Sequence, residues 1–293
     1  MTTESTAKQR KLGIWSWAFY DWANSAFTTV IVTFVFSEYV SAIGGDRNLG
    51  TAQWTMMITI SGLAIAVLAP ILGSIADHGG RRKPWLFAFT WIMGLLTCGL
   101  WFIKPEASYV PMALLLIGLA NIAFELGVAF NNSMLADVVE EEQIGRWSGW
   151  AWGLGYVGGL SVLTLCLALF IFGDPAVFGL DVKAKEEVRI MGPIVGLWVI
   201  LFSIPLFLFT PDKKSAGKSM SEAVTEGLAT LWRTIVSLRD YKNIAIFLLG
   251  RMLYADGLAT LFSLGGIFAG NAYGMSTQEI LTFAIILNIT AGA

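Results

Sequence analysis

Long uninterrupted runs of apolar residues leave this chain very few ways to fold. They occur at residues 12–40, 54–76, 84–103, 109–130, 149–172, 190–209, 244–270 and 278–293. A helix that crosses a bilayer needs about 20 mostly apolar residues. The first seven runs reach that length, and the eighth, at the end of the sequence, has about 16. Lipid offers no hydrogen-bond partners to a bare backbone, so such runs fold as helices. Only 14% of the residues are charged, against roughly 25% in a soluble domain. The expected class is therefore an all-α, polytopic membrane protein. Many of the 12 tryptophans lie near the ends of runs, where aromatic side chains anchor helices at the water boundary. No cleavable signal peptide is expected, because residues 1–11 are polar and the run after them is too long and carries Asp21.

Charge placement sets orientation and layout. With a cytoplasmic N-terminus, thirteen Lys and Arg fall inside and five outside, with Arg251 left in the seventh run. That asymmetry places the N-terminus in the cytoplasm of a cell-membrane protein. The chain divides into a cytoplasmic N-terminus at 1–11, a six-helix bundle at 12–209, a cytoplasmic connector at 210–243 and a partial second bundle at 244–293. Within the connector, Ser219 and Glu222 fit a capping box. Met220, Val224, Leu228, Leu231, Ile235 and Leu238 follow at helical spacing. This amphipathic helix is expected on the inner membrane surface or against the bundle.

Ionisable and amide groups inside membrane runs are costly, so each is a site candidate. Asp21, Asn24, Ser25 and Thr28 make one polar stripe on the first run. The seventh run repeats it with Asp256, Thr260 and Ser263. Aligning Asp21 with Asp256 also aligns Ser25 with Thr260 and Phe27 with Phe262, an internal repeat of the kind transporters show. The fourth run offers Asn121, Glu125 and Asn132 on one face, with Asn131 beside them. The expected site is a wet cavity lined by the first, fourth and seventh runs. There Asp21 and Glu125 bind a cationic group or carry a proton, since burial favours the protonated carboxyl. The alternative is that these groups only pair with one another or with Arg251 to tie helices together.

Gly149, Gly153, Gly155, Gly158 and Gly159 give the fifth run a small-residue face, for tight packing or for sliding during a conformational change. An acidic stretch with Asp137, Glu140, Glu141 and Glu142 is either a solvated loop or an inner latch for Arg81 and Arg82. Cys98 and Cys166 lie within apolar runs and read as buried structural thiols. His78 is the single histidine, in a charged turn with no second ligand nearby. No cofactor, metal or nucleic-acid partner is expected. With no nucleotide loop and no Ser-His-Asp set, neither is enzymatic activity.

Four stretches carry a resemblance. Residues 73–83 read Gly-Ser-Ile-Ala-Asp-His-Gly-Gly-Arg-Arg-Lys between two membrane runs. This resembles the loop between helices two and three of the major facilitator superfamily, except that His78 stands where that superfamily usually has Arg or Lys. Residues 19–27, Phe-Tyr-Asp-Trp-Ala-Asn-Ser-Ala-Phe, and the glycine-rich stretch from Arg146 to Gly159 resemble the branch containing the vacuole effluxers and their bacterial relatives. Residues 131–137 resemble that branch's fourth-helix ending, without its aromatic residue and proline. The resemblance implies a secondary transporter working by alternating access on a small solute, coupled to protons or sodium. In vacuolar members it implies amino-acid export. It also implies that Gly73, Asp77, Gly80, Arg81 and Arg82 form a gating loop whose charge pairs hold the outward-open state. That superfamily has twelve helices, so the chain is expected to be partial, stopping within the eighth. A cation-coupled sugar symporter and a non-transporting receptor or scaffold are the alternatives.

Overall fold

The structure is a computed structural model that describes residues 3–173, 179–214, 217, 219–276, 279–280, 282–283, 286–287 and 290. Among the described residues every regular element is a helix. Helix α1 (Thr3–Ala26) runs directly into a π-helical stretch, Phe27–Phe34, and then into α2 (Phe36–Ile43). Next come α3 (Arg47–Gly79), α4 (Lys83–Cys98), α5 (Val110–Val138) and α6 (Ile144–Cys166). Helix α6 continues as a second π-helical stretch, Leu167–Ile171. A short α7 (Glu186–Arg189) precedes α8 (Met191–Phe209), α9 (Met220–Ser237) and α10 (Lys242–Tyr273). Six stretches among the described residues are long and apolar enough to cross a membrane: Lys8–Ile43, Arg47–Gly79, Lys83–Phe102, Ala107–Val138, Glu141–Ile171 and Glu186–Phe209. They coincide with the first six apolar runs. The seventh run lies in α10, which has 32 residues. Much of the eighth lies outside the described residues, and those of it that are described are helical.

Helix ends follow local chemistry more than hydropathy. Asp46 caps α3, accepting hydrogen bonds from the amides of Asn48 and Leu49 at 2.9 and 3.3 Å. Gly80, at φ +85°, turns the chain out of α3, and Pro84 sits in the first turn of α4. The expected capping box is present at α9, with Ser219 Oγ accepting from the Glu222 amide and Glu222 accepting from the Ser219 amide at 2.8 Å. Three boundaries depart from the sequence expectation. Helix α1 already starts at Thr3, within the segment read as a polar tail. Asp137 belongs to the last turns of α5, not to a loop. Helix α6 starts at Ile144, ahead of the apolar run at 149. In each case the backbone ladder of the helix continues past the apolar residues into water.

Helix α1 packs against both α6 and α8, α4 against α5 and α8, and α3 against α5. This gives the ring order α3, α5, α4, α8, α1, α6. Two apolar clusters fill it. One is built around Phe27, Ile31, Trp54, Met93 and Ile117. The other is built around Trp17, Tyr20, Leu86 and Phe130. Cys166 is buried, as expected, and Cys98 is half-buried. Helix α9 lies on the end of α3, where Ser74 Oγ donates to the Gly227 carbonyl at 2.7 Å. His78 is not in the turn but within α3, its Nδ1 2.8 Å from the Ser74 carbonyl and its Nε2 3.3 Å from Thr230 Oγ1 of α9.

Helices α1 and α6 approach each other backbone to backbone. A Cβ on Gly158 would come within 2.7 Å of the Trp22 Cα, and one on Gly155 within 2.7 Å of Ser25 Oγ. Gly159 meets Thr29 in the same way, whereas Gly149 and Gly153 face open space. The packing role read for this face holds for the three inward glycines only. Gly158→Leu is expected to destabilise the bundle by about 1–3 kcal/mol or to prevent assembly, as overpacking does. Gly153→Ala is expected to leave the melting temperature unchanged. Thermal unfolding of the purified variants in detergent measures both.

Candidate functional site

The polar stripe of α1 stands on the side of that helix next to α6. Asp21 and Ser25 are half-buried against Gly155, with the Asp21 Cβ in van der Waals range of that glycine's position. Thr28 is half-buried and donates to the Ser25 carbonyl at 3.2 Å. Asn24 is buried, and its side-chain nitrogen has no hydrogen-bond partner. Asp21 makes no ion pair among the described residues. The neighbouring face of α1 is fully engaged. Tyr20 bonds Thr90 of α4 at 2.8 Å, and Trp17 Nε1 donates to the Asn131 carbonyl of α5 at 2.8 Å. The stripe is thus held in place by its neighbours while its acid keeps no cationic partner among the described residues.

The α5 candidates divide. Asn121 is buried and donates to Ser61 of α3 at 3.2 Å, a bond that joins two helices. Glu125, expected to be buried, is exposed on α5. It makes no hydrogen bond or ion pair with Asp21. Asn131 is fully buried with neither side-chain amide atom partnered, while Asn132 is exposed. On α10, Asp256 and Arg251 are both exposed and form no ion pair with each other, so the alternative of a structural tie through Arg251 is absent among the described residues. Arg251 lies instead over the Tyr254 ring at 6.0 Å. Thr260 is exposed, and the Ser263 side chain lies outside the described residues. Helix α10 packs against Phe27–Phe34 and α2. There a Cβ on Gly266 would lie 2.7 Å from the Thr33 carbonyl. Asp256 is ten residues from that crossing, about 15 Å along the helix.

A second cluster occupies the opposite end of α1, where α3 turns into α4. Arg82 is its hub, with its side chain only 11% exposed. One guanidinium nitrogen donates to the Ser133 carbonyl and to Asp137 at 2.6 Å, and the other donates to Asp77. Lys213 joins from beyond α8 at 2.9 Å from Asp137. Asp212 accepts from the amides of Arg82 and Lys83 at 3.0 and 3.2 Å, capping α4 from another part of the chain. Lys83 Nζ donates to the Phe207 carbonyl at 2.9 Å. Of the expected gating pairs, the one between Asp77 and Arg82 is therefore present. Arg81 is exposed and makes no ion pair among the described residues, so there it is not an equal partner of Arg82 in the expected charge pairs. Gly73 faces open space and Gly80 supplies the turn. The acidic stretch joins only in part, through Asp137 to Arg82 and Glu140 to Arg10 at 2.9 Å. Sequence reasoning missed Asp212, Lys213 and Ser133. Asp212 and Lys213 lie in the connector at 210–243, and nothing in a linear sequence marks a cap delivered from 129 residues away.

Comparison with known proteins gives one consistent picture. The family model described as vacuole effluxer Atg22 like matches residues 37–145 and 137–293. The chain is 27% identical to an uncharacterized MFS-type transporter, YxiO, of Bacillus subtilis (strain 168), covering 94% of this chain and 64% of that protein. It is 25% identical to autophagy-related protein 22 of Pichia angusta, covering 85% of this chain and 52% of that protein. The chain thus spans between half and two thirds of the length of these curated relatives. Among solved structures, it superposes on the partially occluded inward-open xylose transporter XylE of E. coli with TM-score 0.54 and 16% identity, covering 96% of this chain and 68% of that one. A crystal structure of a D-xylose-proton symporter gives TM-score 0.52 at 16% identity, covering 99% and 66%. At such identity the likeness establishes the fold, a major-facilitator bundle.

Arg82→Ala would leave Asp77 and Asp137 without their shared cation. Because those side chains keep 57% and 28% of their surface in contact with solvent, it is expected to cost about 1.5–3 kcal/mol, the loss of charge-assisted hydrogen bonds. Arg82→Lys should recover little of this, because an ammonium cannot reproduce the guanidinium fork. Arg81→Ala should leave stability unchanged. Thermal unfolding in detergent ranks the three, and equal melting temperatures for Arg82→Ala and wild type would remove the hub.

Proposed function

Because the chain belongs to the vacuole effluxer Atg22-like family, we propose that it supplies the first half, and the beginning of the second, of a secondary transporter. That transporter moves a small solute across a cell membrane by alternating access. The observation that carries this reading is the α1 stripe of Asp21, Asn24, Ser25 and Thr28. It is firmly positioned, sits beside α6, and has an acid with no ion-pair partner. A carboxyl group at membrane depth without a cationic partner is a proton carrier or a ligand for an ammonium group. Asp256 offers a second carboxyl on α10. The Phe27–Phe34 stretch that continues α1 meets α10 at Thr33 and Gly266, and each carboxyl precedes that crossing on its own helix. The excess of Lys and Arg around α9 and the α3–α4 turn supports a cytoplasmic N-terminus.

The solute this reading favours is an amino acid, moved outward, coupled to protons or sodium. An amino acid carries the ammonium group that Asp21 would hold, and the family description names an effluxer. The runner-up is proton-coupled sugar symport, favoured by the solved D-xylose-proton symporter that shares the fold. In the transport cycle the Arg82 hub acts within the first bundle. The partners of its guanidinium, Asp77, Ser133 and Asp137, lie on α3 and α5. It would brace those helices as one rigid body while that body tilts against the second bundle.

The test is flux in liposomes, using a chain carried through to the length of the curated relatives. Gradient-driven movement of labelled amino acids is expected, with Asp21→Asn reducing it at least tenfold, as loss of a group that carries charge in the cycle does. Sugar flux under the same gradients would favour the runner-up. Unchanged flux in Glu125→Gln would take that exposed residue out of the site, and unchanged flux in Asp21→Asn would overturn the assignment of the stripe.

A further inference from the structure

Beside the Arg82 hub, but facing away from it, the outer side of the bundle holds a pocket of about 420 Å³ between the ends of α4 and α8. Its rim carries Arg81, Lys83, Lys213 and Lys214 against a single carboxylate, Asp212. That carboxylate is already occupied by the amides of Arg82, Lys83 and Lys213, at 3.0, 3.2 and 2.9 Å. Lys213 is shared with Asp137, and Lys83 is turned to the Phe207 carbonyl. Arg81 and Lys214 are exposed and make no ion pair or hydrogen bond among the described residues. The pocket therefore holds a surplus of positive charge that the protein does not neutralise.

Its floor is aromatic. Phe87 of α4 and Phe207 of α8 meet edge to face with ring centroids 5.2 Å apart. The apolar surface continues along both spans through exposed Trp91, Ile204 and Leu208. Both helices are long and apolar enough to cross a membrane, so the cations stand where headgroups lie and the aromatic wall runs toward acyl chains. A soluble anion would use the cations and leave the wall bare, whereas a phospholipid uses both. We propose that this pocket binds the phosphodiester headgroup of an anionic phospholipid, with Arg81 and Lys214 facing the phosphate and an acyl chain lying along Phe87 and Phe207. Basic pockets between membrane helices recognise such headgroups by the same combination of charge and depth. The proposal needs only the membrane-spanning assignment of α4 and α8 and is independent of the solute or direction of transport. It also gives Arg81 a role that the hub does not, since Arg82 alone makes the internal pairs.

The test is native mass spectrometry of the purified chain in detergent, titrated with phosphatidylglycerol or phosphatidylcholine. Wild type is expected to retain phosphatidylglycerol on the order of tenfold better than phosphatidylcholine. The double variant Arg81→Gln, Lys214→Gln is expected to lose that preference. Both side chains are exposed and unpaired, so its circular dichroism should match wild type. Lys104→Gln, an exposed cation at the other end of α4, should retain the preference. Equal retention of the two lipids by wild type would overturn the site, and so would an unchanged preference in the double variant. Displacement of bound lipid by glycerol 1-phosphate at the lipid's own concentration would make a soluble phosphate the occupant and overturn the lipid assignment.

Discussion

The close approach of α1 to α6 is the contact on which the rest of the bundle is arranged. Without side chains at Gly155, Gly158 and Gly159, the backbone of α1 settles directly onto α6. In lipid no hydrophobic force draws helices together, so such close packing supplies much of their association. Its consequence is positional. With the polar stripe of α1 set beside α6 and α8 on another side, the remaining sides of α1 reach α5 and, through Tyr20, Thr90 of α4. A second glycine pair does the same between α4 and α8, where Gly94 and Gly196 face each other's backbone. Two backbone-to-backbone contacts thus fix the middle of the ring, and α3, mostly exposed along its length, closes one end of it.

Charge is managed differently at the two ends. Where α3 turns into α4, one buried guanidinium gathers two carboxylates and a carbonyl. At the far end, Arg189 is 6% exposed, donates to the Trp101 carbonyl at 2.8 Å and lies 5.0 Å over the Trp101 ring. In both places arginine does what lysine could not, because its planar fork makes several directed bonds and stacks on an aromatic face. The exposed Arg10–Glu140 pair contributes far less, since water screens it. The asymmetry between Arg81 and Arg82 has the same origin. Gly80 turns the chain so that one of two adjacent cations points into the bundle and the other to its outer surface.

Much of this was legible in the residues, for reasons that can be stated. Apolar runs mark spans because lipid tolerates nothing else, and the first six runs match the six apolar helices. The Ser219 and Glu222 box was readable because capping is local. The unreadable parts are those decided by neighbours distant in sequence. Which glycines of α6 touch α1 depends on the rotation of that helix, so Gly149 and Gly153 looked equivalent to Gly158 and are not. Which arginine turns inward depends on one positive φ. Glu125 and Asn121 share a face by periodicity, yet Asn121 meets Ser61 while Glu125 meets no partner. The two positions lie about 6 Å apart along α5, enough for α3 to cover one and leave the other. Helix boundaries read from hydropathy fall short of the observed ends, because hydropathy reports the lipid-facing part of a helix and the backbone ladder does not stop there.

The uncommitted groups on α1 follow from the same packing that commits the others. Trp17 and Tyr20 take hydrogen-bond partners on α5 and α4, and Trp22 stacks at 6.0 Å on Trp198 of α8. A helix held on three sides cannot rotate to hide its fourth. Asp21, Ser25 and Thr28 are therefore presented wherever the bundle leaves room, and the buried Asn24 nitrogen beside them stays without a partner. In a merely structural helix such groups would pair with a neighbour, because an unmade bond at this depth is expensive. Available partners were not lacking, since α6 could carry a serine or asparagine where it carries Gly155. It carries glycine instead, which brings the backbone close and contributes no polar side chain. The choice that makes the α1–α6 contact tight is thus the choice that leaves the Asp21 carboxyl with no polar side chain opposite it on α6.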